Sequence, residues 1–211
     1  MFKKFRTLRN IFLNGDIMFF LYEKYSLQIG NLSIRFNKLI YGKRLNVKFP
    51  FKVWGSIRFL MLGTGSITIG KNFHAVSSRK RAVFTLFSPC HLTVIGNAEI
   101  VIGDHVGLNG NTIAARCKIS IGENTMIGPN TMIIDHDGHQ AWPPEARWTN
   151  SGNSKEIIIE NDVWIGMNCI ILKGVKIGSG SVIAAGSVVI SDVESNAVYG
   201  GNPARKIKSL S

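Results

Sequence analysis

Residues 134–158, IDHDGHQAWPPEARWTNSGNSKEII, carry most of the polar chemistry of the chain. Within them lie His136 and His139, Asp135 and Asp137, Trp142 and Trp148, and the pair Pro143-Pro144. A neutral imidazole held by a carboxylate on one nitrogen can take a proton with the other. Either histidine could therefore act as a general base, with Asp135 or Asp137 orienting its ring, and either could equally be an ordinary loop hydrogen-bonder. His139 leads because it lies six residues past an aliphatic repeat position, Ile133, at the root of the stretch; His136 is its competitor. A second chemistry would join His105, His136 and His139 around a zinc ion with an open position. Their spacing matches no helix or hairpin ligand pair, and no metal site is expected. Trp142 is counted with the candidate substrate contacts, and tryptophans on both sides of the prolines argue for an ordered loop. A loop of ~25 residues in a compact fold is usually functional or disordered.

The element that must position this loop is a six-residue repeat. An aliphatic side chain returns at Ile159, Ile165, Ile171, Ile177, Ile183 and Val189, and a small or β-branched residue follows four places on, at Val163, Cys169, Val175, Ser181 and Ser187. Neither an α-helix nor a flat strand has that period. Hexapeptides of this kind build a parallel β-helix, in which three faces close a triangular coil and the aliphatic residue points inward. The same register is read at Ile102, Leu108 and Ala114, and again at Ile121, Ile127 and Ile133, with one extra residue near Val101 and another near Ser120 bulging at corners. The 22 glycines exceed the usual share of about 7%, as suits a chain that turns often.

Charge is distributed unevenly. Of a net +12, residues 1–60 hold twelve Lys/Arg against Asp16 and Glu23, so a partner that reads basic charge meets the N-terminal quarter. Phe2, Phe5, Leu8 and Phe12 stand near helical spacing with Lys3, Lys4, Arg6 and Arg9 between them. Residues 1–25 thus suit either an amphipathic helix packed on the solenoid or peripheral contact with an anionic membrane surface. Asn14, Gly15 and Asp16 interrupt the apolar run well short of a membrane span, and a secretory signal is poorly matched. The expectation is a cytoplasmic protein, at most at the inner face of the membrane. Cys90, Cys117 and Cys169 show no disulfide framework and are read as buried thiols. Nucleic-acid binding has the charge but no module, and the glycines form no dinucleotide fingerprint.

Taken in order, residues 1–60 are a basic cap region. Within it, alternation at Leu32, Ile34 and Phe36 and at Val47, Phe49, Phe51 and Val53 predicts strands. Phe49, Phe51 and Trp54 are too large for a regular coil and are expected to close its N-terminal end. Residues 61–199 form the solenoid, with a break at 71–91 holding Arg79, Lys80 and Arg81. That basic run is a solvated loop tip or a contact for a phosphate or acidic sugar. Residues 200–211 are a basic tail after a Gly-Gly-Asn-Pro turn.

The hexapeptide array, IIDHDGHQ at 133–140, IIIENDVWIGMNCIILKGVKIGSGSVIAAGSVV at 157–189 and GGNPARKIK at 200–208 together resemble the left-handed β-helix acyltransferases, most closely their sugar and polysaccharide O-acetyltransferase branch. The resemblance covers roughly residues 63–208. It implies an all-β, left-handed parallel β-helix with an N-terminal cap and one long loop. It also implies a homotrimer with sites between neighbouring solenoids, and acetyl-CoA as acyl donor. By position, His139 matches the histidine that deprotonates the acceptor hydroxyl for direct attack on the thioester. Met167 and Ala185 match cofactor contacts, and Ile190 falls where related enzymes often have threonine. Arg205 and Lys208 match basic residues near the CoA phosphates. Asn109 and Asn111 are candidates to bind sugar hydroxyls, although asparagine is also common at solenoid corners. The basic N-terminus does not match the compact cap of the small sugar acetyltransferases and suits a lipid-linked or anionic glycan. The resulting expectation is an O-acetyltransferase of a cell-surface polysaccharide or its precursor; the rivals are a β-helix zinc hydratase and a non-catalytic binding solenoid.

Overall fold

A computed structural model describes residues 17–80, 82–149 and 152–210. Three parallel sheets wind around a single core. The first face runs from strand Leu45–Val47 to Lys176–Ile177, the second from Phe51–Trp54 through Val182–Ile183, and the third from Arg58–Gly63 to Val188–Val189. Successive coils stack in register, Ile158 opposite Lys176, Trp164 opposite Val182 and Ile170 opposite Val188, each partner three hexapeptides further on. The fold is the three-sided parallel β-helix that the repeat implies, left-handed as the resemblance implies.

The six residues from Ile159 to Val189 that define the period are all buried, as are Val163, Cys169, Val175, Ser181 and Ser187 at the corners. Each inward aliphatic side chain contributes roughly 1.5–3 kcal/mol of transfer free energy. The chain turns between the first and second faces through residues with positive φ, among them Asn72, His105, Asn124 and Asp162. Asparagine and aspartate accept this left-handed geometry more readily than other residues with a Cβ.

The strands shorten along the chain up to Val188–Val189. Early strands such as Ser66–Ile69, Glu99–Ile102, Thr112–Ala115 and Lys118–Ile121 turn two side chains inward, whereas Trp164–Ile165 and Val182–Ile183 turn one. The first coils hold larger inward groups: Phe73 is wholly buried and Phe59 nearly so. The extra residues of this region therefore lengthen strands. The inward residues of Thr112–Ala115 are Ile113 and Ala115, and Ala114 faces outward.

The cap differs from the strand reading of Leu32, Ile34 and Phe36. These residues belong to a helix, Ile17–Tyr41, while Val47 and Val53 are buried in strands. Ile34 is fully buried and joins the core, so the helix, and not Phe49, which is 78% exposed, closes the end. A Cβ on Gly30 would lie 1.9 Å from the Val53 carbonyl oxygen, which makes glycine necessary for the helix to approach this closely. The Gly55 amide donates to the Ser26 carbonyl at 2.9 Å, and the Tyr41 hydroxyl to that of Phe59 at 3.2 Å. The amphipathic pattern of Phe2, Phe5, Leu8 and Phe12 lies outside the described residues.

Two excursions leave the prism. Phe73–Val76 is a regular strand, so the first departs after Val76 and returns at His91–Gly96, between the second and third faces. Its basic run is tied down: Arg79 donates to the Phe87 carbonyl, and Lys80 lies over the Tyr22 ring; Arg81 is outside the described residues. The second departs after Met132–Ile134 and returns at Ile157–Ile159, between the third and first faces. The last residues form no loose tail, because Ala204–Ser209 folds back antiparallel on Ala197–Gly201 and extends the second face. Cys90 and Cys169 are buried, but Cys117 is exposed; it follows Arg116 on a corner, not on an inward repeat position.

Candidate active site

The second excursion is pinned at its root by Asp135. This carboxylate is fully buried and accepts from the amides of Arg116 at 2.7 Å and Cys117 at 2.8 Å, one coil earlier. The Lys155 amide donates to the Asp135 carbonyl at 2.8 Å on the return path. Asp137 pairs with Lys173, and its amide donates to the Asn153 carbonyl at 2.9 Å. Both aspartates are thus committed to holding the loop, and neither orients His139.

That role falls to a carbonyl. Nδ1 of His139 lies 2.6 Å from the carbonyl oxygen of Arg147, at the end of the short 3-10 turn Pro144–Arg147. A carbonyl oxygen can only accept, so Nδ1 is the donor, and in the neutral ring the lone pair is on Nε2. His139 is exposed at this corner. His136 is placed differently: its Nδ1 lies 3.2 Å from the Asp137 carbonyl, and its Nε2 is buried without a partner. A base must reach a substrate, and of the two rings His139 has the accessible nitrogen. The turn that supplies the orienting carbonyl was not evident in the sequence; the only signal for it was the proline pair.

His105 stands at a corner between the first and second faces with φ 59°, its Nε2 3.1 Å from Asn72 Nδ2. The other two histidines sit in the excursion between the third and first faces, so the fold does not bring the three together.

A cleft of about 450 Å³ runs along the second face to its corner with the third. Met126, Trp164, Met167 and Phe84 wall it, the last from the first excursion, and Gly128, Gly166, Ala184 and Ala185 form small-residue steps along it. A Cβ on Gly166 would lie 2.6 Å from the Ala185 amide nitrogen, so adjacent coils can pack this closely only with glycine there. Met167, Ala185 and Asn109 share this cleft. Asn111 does not: it is fully buried, its Oδ1 accepting from the Asn109 amide at 2.5 Å and its Nδ2 donating to the Gly128 carbonyl at 2.8 Å. It is a corner residue with no group left for a sugar. Ile190 is exposed just past the last strand of the third face, and Arg205 and Lys208 are exposed on the terminal hairpin. Trp142, 74% exposed, projects from the second excursion and is not among the cleft residues.

Within one chain, then, the cleft and His139 flank the third face from opposite edges. On its last coils that face is apolar on the outside, with Met132, Ile170 and Val188 in one row and Ile134 and Leu172 in the next, while its first coils place Arg58, His91 and Thr112 in the first of these rows. The first face instead mixes Val101 and Ile158 with Glu99, Lys118 and Lys176. The apolar cleft could take an extended alkyl-amide chain, and the exposed cations of the terminal hairpin could meet phosphates.

The model for "Bacterial transferase hexapeptide (six repeats)" matches residues 156–191. Galactoside O-acetyltransferase of Lactococcus lactis is 37% identical over 109 residues, 51% of this chain and 52% of that protein. The chain spans about half the length of the curated relatives it matches. A hexapeptide-repeat acetyltransferase of Vibrio cholerae, solved with acetyl coenzyme A, is 31% identical, with 72% of this chain and 71% of that one covered and a TM-score of 0.50. AntD, an N-acyltransferase of Bacillus cereus, shares the fold at 18% identity, with 84% and 89% covered and a TM-score of 0.63.

Proposed function

Because this chain belongs to the hexapeptide-repeat acyltransferase family, we propose that it moves an acetyl group from acetyl-CoA to a glycan hydroxyl, with His139 as the base. The observation that carries the reading is the His139 tautomer: the Arg147 carbonyl holds Nδ1–H and leaves Nε2 able to accept a proton. The acceptor hydroxyl gives its proton to Nε2 as its oxygen attacks the thioester carbonyl. The tetrahedral oxyanion collapses, the C–S bond breaks, and the thiolate leaves to be protonated. No covalent enzyme intermediate is needed. Fixed backbone N–H groups would suit the oxyanion.

The donor lies along the cleft, with its pantetheine arm beside Met167 and Ala185 and its phosphates toward Arg205 and Lys208. Ile190 offers no side-chain hydrogen bond to the donor. The acceptor approaches Asn109 and Trp142. Since cleft and base flank one face whose last coils are apolar outside, the reading includes a homotrimer in which that face meets a neighbour and brings one chain's His139 to the next chain's cleft. The acceptor class is a cell-surface polysaccharide or its precursor, handled at the cytoplasmic side, and support for it comes from the basic cap and from a galactoside O-acetyltransferase among the relatives.

The test is CoA release from acetyl-CoA against a glycan panel, for wild type and His139→Ala, with CoA binding recorded for both and mass measured by light scattering. Glycan-dependent release that disappears in the variant while CoA still binds, on a particle of three chains, supports the reading. Full activity in the variant refutes His139 as base, and absence of CoA binding in both refutes acyl transfer.

A further inference from the structure

The helix Ile17–Tyr41 uses only one side to cover the coils. Ser26, Gly30 and Ile34 face the first coil, and among the described residues the opposite side is exposed. Leu21, Tyr25, Leu32, Phe36 and Leu39 recur there at helical spacing and are 54%, 59%, 68%, 60% and 82% exposed. An uncovered stripe of five large apolar side chains marks an interaction surface. One flank of the stripe is basic, with Lys24, Arg35 and Lys38, all exposed. Lys38 reaches toward the Val47 carbonyl at 3.4 Å. At the helix end, Lys38, Gly42, Lys43, Leu45 and Asn46 line a shallow depression of about 560 Å³. Glu23 is the sole carboxylate of the helix, and it is half-buried.

Charge decides between the two occupants such a stripe could have. Residues 17–60 hold Lys24, Arg35, Lys38, Lys43, Arg44, Lys48, Lys52 and Arg58 against Glu23 alone. A second copy of the same face would therefore bring cation against cation. An anionic bilayer attracts that flank while the stripe enters the boundary between headgroups and acyl chains. The helix is suited to lying on a bilayer and not to crossing one; among the described residues no helix is long and apolar enough to cross. We propose that the helix Ile17–Tyr41 docks on an anionic phospholipid surface through Leu21, Tyr25, Leu32, Phe36 and Leu39, with Arg35, Lys38 and Lys43 meeting lipid phosphates. The coils then point away from the bilayer. This inference rests on the cap alone and stands whether or not the chain transfers acyl groups.

Co-sedimentation of the full chain with vesicles tests it. Vesicles of equimolar phosphatidylcholine and phosphatidylglycerol should bind about tenfold more protein than phosphatidylcholine alone, with binding weakened by salt. Leu32→Ser/Phe36→Ser and Arg35→Glu/Lys38→Glu should each reduce binding by about tenfold. Leu32→Ser/Phe36→Ser should melt with wild type because both side chains are exposed, and Arg35→Glu/Lys38→Glu slightly below it, having lost the long hydrogen bond from Lys38 to the Val47 carbonyl. No binding, equal binding to both vesicles, or binding that survives both double substitutions overturns the proposal. So does self-association in the absence of vesicles that Leu32→Ser/Phe36→Ser abolishes, because a second copy would then own the stripe.

Discussion

Nδ1 of His139 donates to the main-chain carbonyl of Arg147 at 2.6 Å, eight residues further along the same loop. The contact fixes the tautomer of the ring without any carboxylate. An asparagine at this position can keep the donor to the Arg147 carbonyl but has no basic nitrogen. His139→Asn should therefore lower kcat by about 10²–10⁴-fold while preserving thermal stability, and His139→Ala should lose the same rate. The comparison of steady-state kinetics with melting curves separates the base from the loop fastening.

Asp135 is a structural carboxylate. Asp135→Ala would leave the half-buried amides of Arg116 and Cys117 without their carboxylate acceptor, at a cost of about 1–3 kcal/mol. Chemical denaturation should register that loss, together with faster proteolysis between 136 and 156. The fraction that remains folded should bind CoA with little change, since the cleft lies on another face.

The three thiols should separate by reactivity. Burial pushes the Cys90 and Cys169 thiols up from their ordinary value, and both are enclosed by coils. Cys117 is exposed. A thiol reagent added to the native protein should label Cys117 rapidly and the other two only on unfolding, as peptide mass spectrometry would show.

Glu160 accepts from Lys176 and from the hydroxyl and amide of Ser179, which together hold its carboxyl at about 2 against an ordinary 4.5. A depressed carboxylate stabilises the fold above its unfolded value and loses that contribution as pH falls toward its folded value. The melting-temperature difference between wild type and Glu160→Gln should thus be full above pH 4.5 and shrink toward pH 2. Because the pair is partly exposed, added salt should also reduce it.

Gly30→Ala tests the closure of the solenoid. The new Cβ would meet the Val53 carbonyl, forcing the helix outward and uncovering Ile34 and the first coil. A loss of several kcal/mol is expected, about what a strained or overpacked core site costs, measured by denaturant unfolding.

What the sequence determined by itself was the repeat. Period six is a local pattern, each hexapeptide states it again, and the burial of Ile159 through Val189 follows because every coil solves the same packing problem. The limits of the 134–158 loop were legible for the same reason, as the place where the pattern stops. Alternation was a weaker guide: Leu32, Ile34 and Phe36 satisfy a strand, but in a helix with one side on the coils they divide just as well into a buried Ile34 and an exposed Leu32 and Phe36. Only the long-range contact with Gly55 and Val53 chose between them. The tertiary structure alone decided the chemistry of the loop. Asp135 finds its donors one coil away in space and nineteen positions away in sequence, and His139 is oriented by a backbone group that any residue at 147 would supply. Asn109 and Asn111 are two residues apart and of one type, yet one lines a cleft and the other is sealed in a corner. Side-chain identity names the groups available; which of them keep a lone pair or a donor free depends on neighbours that the coil stacking brings.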